Sequence, residues 1–162
     1  MNRSTRRKRV SLIPRYLPSV LTRRDRKIQY DNVVRARRLY PRGIYVSRTT
    51  VKSFPHRESK HVLRAKKTFK VRAIGATPAL AKASGCSIPA LRAILRKGEG
   101  AYYSSGSRPN QTAQSWGVAR LASALTAGKA AGVDYHILHE GCKRGSPGWK
   151  SAQKMKKQKM KS

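Results

Sequence analysis

The chain has 162 residues, of which 38 are Lys or Arg and 6 are Asp or Glu, giving a formal charge of +32. That length is one domain's worth, and an apolar fraction of 38%, below the roughly 45–50% of ordinary globular chains, leaves material for only a small core. No stretch is apolar for long enough to span a membrane or serve as a secretory signal, and two cysteines cannot make a disulfide scaffold, which fits an intracellular, reducing setting.

The charge is unevenly placed. Residues 1–72 carry 23 Lys and Arg against Asp25, Asp31 and Glu58, residues 73–142 carry 7 against Glu99, Asp134 and Glu140, and residues 143–162 carry 8 and no acid. This partition predicts a basic, largely extended N-terminal arm with short helices (1–72), a small helical core domain (73–142) and a Lys-rich C-terminal tail (143–162). Self-repulsion at this charge opposes compaction, so a polyanionic partner is expected.

The arm opens on Arg6-Arg7-Lys8-Arg9, which reads as a nucleic-acid patch, a nuclear address or a solvated tail. Pro14 and Pro18 keep the next stretch extended. Thr22 or Asp25 caps a short helix through Ile28, Val33 and Val34, with Arg24, Lys27, Arg35 and Arg38 on its other faces, until Pro41 and Gly43 end it. Ile44 to Val46 and Thr49 to Val51 are β-branched and aromatic, which predicts one or two short strands. Lys60 to Lys70 then fits a helix with Val62, Leu63 and Phe69 available for one face.

The middle segment has clearer punctuation. Thr77-Pro78 starts a helix that Gly85 stops, and Ser87 starts another through Ile88, Leu91, Ile94 and Leu95 that Gly98 is expected to end. Residues 98–111 have no periodicity and read as a long polar loop. Thr112 caps a longer helix over about 113–127, and Asp134 caps a last one carrying Tyr135, Ile137 and Leu138 to Gly141. Beyond the turn at Ser146-Pro147, the tail holds Lys154, Lys156, Lys157, Lys159 and Lys161, whose mutual repulsion predicts disorder until they are neutralised. The expected fold is mainly α: a small helical domain, about 77–141, with a long polar loop and extended basic arms.

The run Lys97-Gly98-Glu99-Gly100-Ala101-Tyr102-Tyr103-Ser104-Ser105-Gly106-Ser107-Arg108-Pro109-Asn110-Gln111-Thr112, continuing through Ser115-Trp116 and Ala119 to Ser123, resembles a small basic domain of unknown function found in large double-stranded DNA viruses, notably algal and giant viruses. The likeness extends through Gly128-Lys129-Ala130 to Val133–Ile137 and, more loosely, covers about residues 12–142. The resemblance carries no established activity. It implies a virion or virus-factory protein that meets DNA, the capsid interior, or both.

Chemically, the loop offers converging amides at Gly98, Gly100 and Gly106, hydroxyls at Ser104, Ser105 and Ser107, a guanidinium fork at Arg108, and stacking faces at Tyr102 and Tyr103. Such a set suits a phosphate or a partner's carboxylate; the alternative is a loop that packs on its own core. His136, His139 and Cys142 at three-residue spacing, with Cys86, make a conceivable zinc set, although the paired Cys-x-x-Cys knuckle is missing and no metal is the favoured reading. Six scattered acids offer no converging carboxylates, so neither an enzyme nor a cofactor is expected.

The leading expectation is therefore a non-enzymatic virion structural protein, a minor capsid or internal protein that binds capsid proteins, nucleic acid (DNA favoured) or both through Arg6, Arg7, Lys8, Arg9, Arg23, Arg24, Arg35, Arg37, Arg38, Arg108, Lys154, Lys156 and Lys157. It would reside in the virion and, before assembly, inside the infected host. A DNA-condensing nucleoid protein and a ribosomal-type RNA-binding protein are the alternatives.

Overall fold

Periodic apolar and small residues recur far into the basic flanks, and wherever they do, a helix forms and docks. The computed structural model describes residues 9–162, with eight α-helices among them: α1 (Arg23–Leu39), α2 (Lys60–Phe69), α3 (Pro78–Ser84), α4 (Ile88–Ser104), α5 (Ala113–Leu125), α6 (Lys129–Val133), α7 (Tyr135–Gly141) and α8 (Pro147–Lys161). Short 3-10 turns occupy Pro14–Tyr16 and Tyr40–Arg42. The fold is mainly α, as expected from the sequence.

The centre is the α4–α5 pair. Leu91 and Ile94 meet Leu121, Ala122 and Leu125 in a buried cluster that also takes Leu80 and Leu138. Each large aliphatic side chain buried this way stabilises the fold by about 1.5–3 kcal/mol. Gly98 and Gly117 let the two backbones touch: a Cβ on Gly98 would lie 2.5 Å from the Gly117 Cα. Gly98 therefore does not end α4, which continues to Ser104. The expected long loop shrinks to the stretch from Ser105 to Thr112.

Among the described residues, both flanks contribute helices that pack on the rest of the fold. α1 turns Asp25, Gln29, Val33 and Ala36 inward, positions three or four apart that share one helical face, and packs against α4. α2 buries Val62, Ala65 and Phe69 against α5. α8, expected as disordered tail, lays Gly148, Ser151 and Ala152 on the core beside half-buried Trp149 and Met155. The correction has a common cause. Long Lys and Arg side chains project from the outer faces while small and apolar residues supply the inner stripe.

The strands expected between residues 44 and 51 do not form, and no strand is present among the described residues. That segment finds no second strand to pair with, so its backbone polar groups need other partners. Sequence-read caps at Thr22, Thr77, Ser87 and Thr112 each accept a hydrogen bond from the third following backbone amide. Asp134 caps nothing: its side chain turns into the core to meet Arg120 and Lys97.

Candidate polyanion-binding surface

The end of α4 shows how the basic flank is fastened. α4 has no basic residue in its own last turn. Its C-terminal carbonyls instead receive guanidinium hydrogen bonds from the N-terminal segment: Arg37 Nε donates to the Ser105 carbonyl at 2.6 Å, and Arg48 donates to that of Tyr102. Cations at this end also answer the negative pole of the helix dipole. The Arg48 guanidinium lies over the Tyr102 ring, 3.8 Å from its centroid, and donates to Ser107 Oγ at 2.6 Å. Burial pulls the Arg48 pKa down while the adjacent tyrosines push it back up; burial likewise raises the Tyr102 phenol, against the pull of Arg48.

The following residues form a clasp. Gly106, at φ +128°, sits where any Cβ would strike Tyr16 and Val33 at under 3 Å, so only glycine fits. The Gln29 amide donates to the carbonyls of Ser107 and Tyr16, both at 3.1 Å. Asn110, at φ +60°, accepts from the Val51 amide at 2.7 Å and donates to the carbonyls of Val51 at 2.9 Å and Phe54 at 2.6 Å. One side chain thus supplies the ladder that the missing strand partner would have given. Nearby, Asp25 accepts from both the hydroxyl and the amide of Ser53, and these bonds hold its carboxyl below the usual range.

The loop residues singled out in the sequence are therefore divided. Tyr102 and Ser107 are buried and committed to Arg48 and Gln29, Tyr103 is half-buried, and Ser104, Ser105 and Arg108 are exposed. The Arg108 guanidinium has no hydrogen-bond partner among the described residues. Sequence reasoning missed Gln29, Arg48 and Asn110 as fasteners. The Pro109-Asn110 pair, which favours tight turns and left-handed backbone, was the one local signal.

Arg9, Arg23, Arg24, Arg35, Arg38, Lys154, Lys156 and Lys157 all lie exposed, while Arg37 is half-buried. Arg6, Arg7 and Lys8 lie outside the described residues. A groove of about 400 Å³ beside α1 is lined by Arg9, Arg23, Arg26, Lys27, Leu17, Tyr30 and Asp31. A second, of about 250 Å³, sets Arg64 of α2 opposite Lys150 and Lys154 of α8 over Phe69 and Leu125. Among the described residues, Lys27, Lys66, Lys97 and Arg120 are the lysines and arginines with a carboxylate within ion-pair distance. The rest present uncompensated charge.

The buried Asp134 carries the interior electrostatics. Arg120 grips it with two hydrogen bonds of 2.8 Å and Lys97 approaches at 2.8 Å. Burial alone raises this carboxyl, but the bonds from Arg120 and Lys97 outweigh it and hold the pKa below the ordinary range.

The conceivable zinc set is not assembled. Cys86 and Cys142 are disulfide-bonded to each other, against the reducing setting that two cysteines suggested, His136 is exposed, and His139 stacks on Tyr135 with its Nδ1 engaged by Gln153 at 3.0 Å. No group of three or more His, Cys, Asp or Glu is positioned to hold a metal among the described residues. Nor is any helix there long and apolar enough to cross a membrane.

Fold and surface together define a small, mainly α-helical protein with a strongly basic exterior. Residues 15–137 match the family of unknown function DUF5824, and the chain belongs to that family. No curated protein and no solved structure matches it.

Proposed function

We propose that this chain is a non-enzymatic structural protein of a large DNA virus, present inside the host cell before assembly and in the virion afterwards, that binds polyanionic surfaces of capsid proteins, genome or both. The observation that carries the reading is positive charge displayed on docked helices with almost nothing to neutralise it. Of the acids, Asp31, Glu58 and Asp134 are already paired with cations and Asp25 is bound by Ser53. The exposed cations of α1 and α8 are held by helices anchored in the core, so the charge is presented in a fixed pattern rather than on a loose chain. Fixed arginine forks suit carboxylate and phosphate alike, whereas the α8 lysines suit looser neutralisation. The viral setting rests on the sequence resemblance. The same commitment of the acids to structural partners leaves little for general acid–base chemistry.

Nuclease treatment of purified particles tests the assignment. A structural protein stays with the emptied shells at a fixed copy number per particle. Release together with the DNA would overturn this reading in favour of a condensing protein. Binding to duplex DNA in vitro should weaken steeply with salt, with a log–log slope near −5 for about six phosphate contacts. Preference for RNA over equally charged DNA in competition would instead favour the ribosomal-type alternative.

A further inference from the structure

Tyr40, Tyr45 and Tyr103 meet where the end of α1, the segment after it and the last turn of α4 converge. Gly43, at φ +73°, reverses the chain and brings Ile44 and Tyr45 out beside Tyr40. The Tyr45 ring lies 5.2 Å from that of Tyr103 at 59° and 5.8 Å from that of Tyr40 at 69°. Both contacts are tilted or edge-on, so neither neighbour covers a Tyr45 face by parallel stacking. Tyr45 is 65% exposed and Ile44 48% exposed, an apolar patch in a surface otherwise crowded with charge.

Four arginines belong to the segments that form the patch. Arg38 and Arg42 are exposed on the same turn, while Arg37 and Arg48 sit at the adjoining end of α4. None of the four has a carboxylate within ion-pair distance. A flat ring face that is held in place, next to uncompensated guanidinium groups, matches a base followed by its phosphate. A duplex keeps its bases stacked inside and can offer such a site only its phosphates. An acidic peptide could use the arginines but would have no need of the ring face.

We propose that this patch is a stacking platform for unpaired bases of single-stranded nucleic acid. Tyr45 presents its face to a base, Tyr40 and Tyr103 hold the ring through non-parallel contacts, and Arg38 and Arg42 meet the flanking phosphates. The proposal rests on the polyanion reading above and adds to it a strand preference.

Fluorescence anisotropy on the full chain, with a labelled oligothymidylate and a duplex of equal length, tests it. Tyr45→Ala should weaken oligothymidylate binding about five- to a hundredfold and leave duplex binding within about twofold. Tyr45→Trp should retain binding, and its fluorescence should be quenched by the single strand. An unchanged single-strand affinity in Tyr45→Ala, an equal loss on both ligands, or no quenching in Tyr45→Trp would overturn the proposal. Tyr45-dependent binding of an acidic peptide that displaces the oligonucleotide would reassign the patch to a protein partner, and so would also overturn it. Failure of the parent chain to bind duplex in a salt-dependent way would count against the polyanion reading instead. Because Tyr45 is exposed, the variants should melt with the parent, which circular dichroism checks.

Discussion

Asn110 holds the N-terminal flank to the core, and removing its amide should show it. Asn110→Ala deletes three hydrogen bonds to the backbone of Val51 and Phe54 and leaves a non-glycine residue at φ +60°. The expected loss is about 2–3 kcal/mol in denaturant unfolding, with the Val51 amide exchanging faster. Asp134 acts differently. Its pKa is lower folded than unfolded, so its stabilisation is complete above the ordinary carboxylate range and drains away as pH falls through that range toward the depressed folded value. The melting temperature should therefore fall below about pH 4, and Asp134→Asn should flatten that fall while costing about 2 kcal/mol at neutral pH, since Lys97 and Arg120 are partly solvated. A shallower acid dependence should remain from Asp25, whose carboxyl is lowered in the same direction by Ser53. Arg108→Ala should leave thermal stability unchanged and weaken polyanion binding, because the guanidinium is exposed and makes no internal hydrogen bond. Lost stability with unchanged binding would identify it as a packing residue.

Two glycines two residues apart on α4 give opposite expectations. At Gly98 an added methyl meets the Gly117 backbone, and overpacking of this kind costs about 1–3 kcal/mol against a helix-propensity gain of about 1 kcal/mol. Gly98→Ala should thus lower the melting temperature. At Gly100 the nearest atom would be the Tyr40 hydroxyl at 3.6 Å, an ordinary contact, so the propensity gain should stand and Gly100→Ala should raise it. The pair explains why the sequence suggested a loop from residue 98. A glycine that ends a helix and a glycine that admits a neighbouring helix look alike until the neighbour is in place. Helix starts were easier to read, because Thr22, Thr77, Ser87 and Thr112 bond within their own first turn.

For the molecule as a whole, the balance is between self-repulsion at +32 and a core that reaches into both flanks. If α8 presents its lysines to phosphate, replacing Lys154, Lys156 and Lys157 together by Gln should reduce the log–log salt slope of DNA binding by about 2–3. The exposed positions of these lysines mean the fold should survive the change, which far-ultraviolet circular dichroism would check. An unaltered slope would place the phosphate contacts elsewhere, with α1 and its groove the next surface to substitute.

The sequence by itself determined the helical class, the helix starts at Thr22, Thr77, Ser87 and Thr112 and the dominance of positive charge, because capping, periodicity and net charge are local or additive properties. The tertiary structure decided which glycines end helices, that both flanks dock, and that Tyr102 and Ser107 face inward while Tyr45 faces out. Those outcomes depend on partners far apart in the chain. Arg48 reaches Tyr102 and Ser107, Asn110 reaches Val51, and Gly98 rests on Gly117, contacts that no window of neighbouring residues contains.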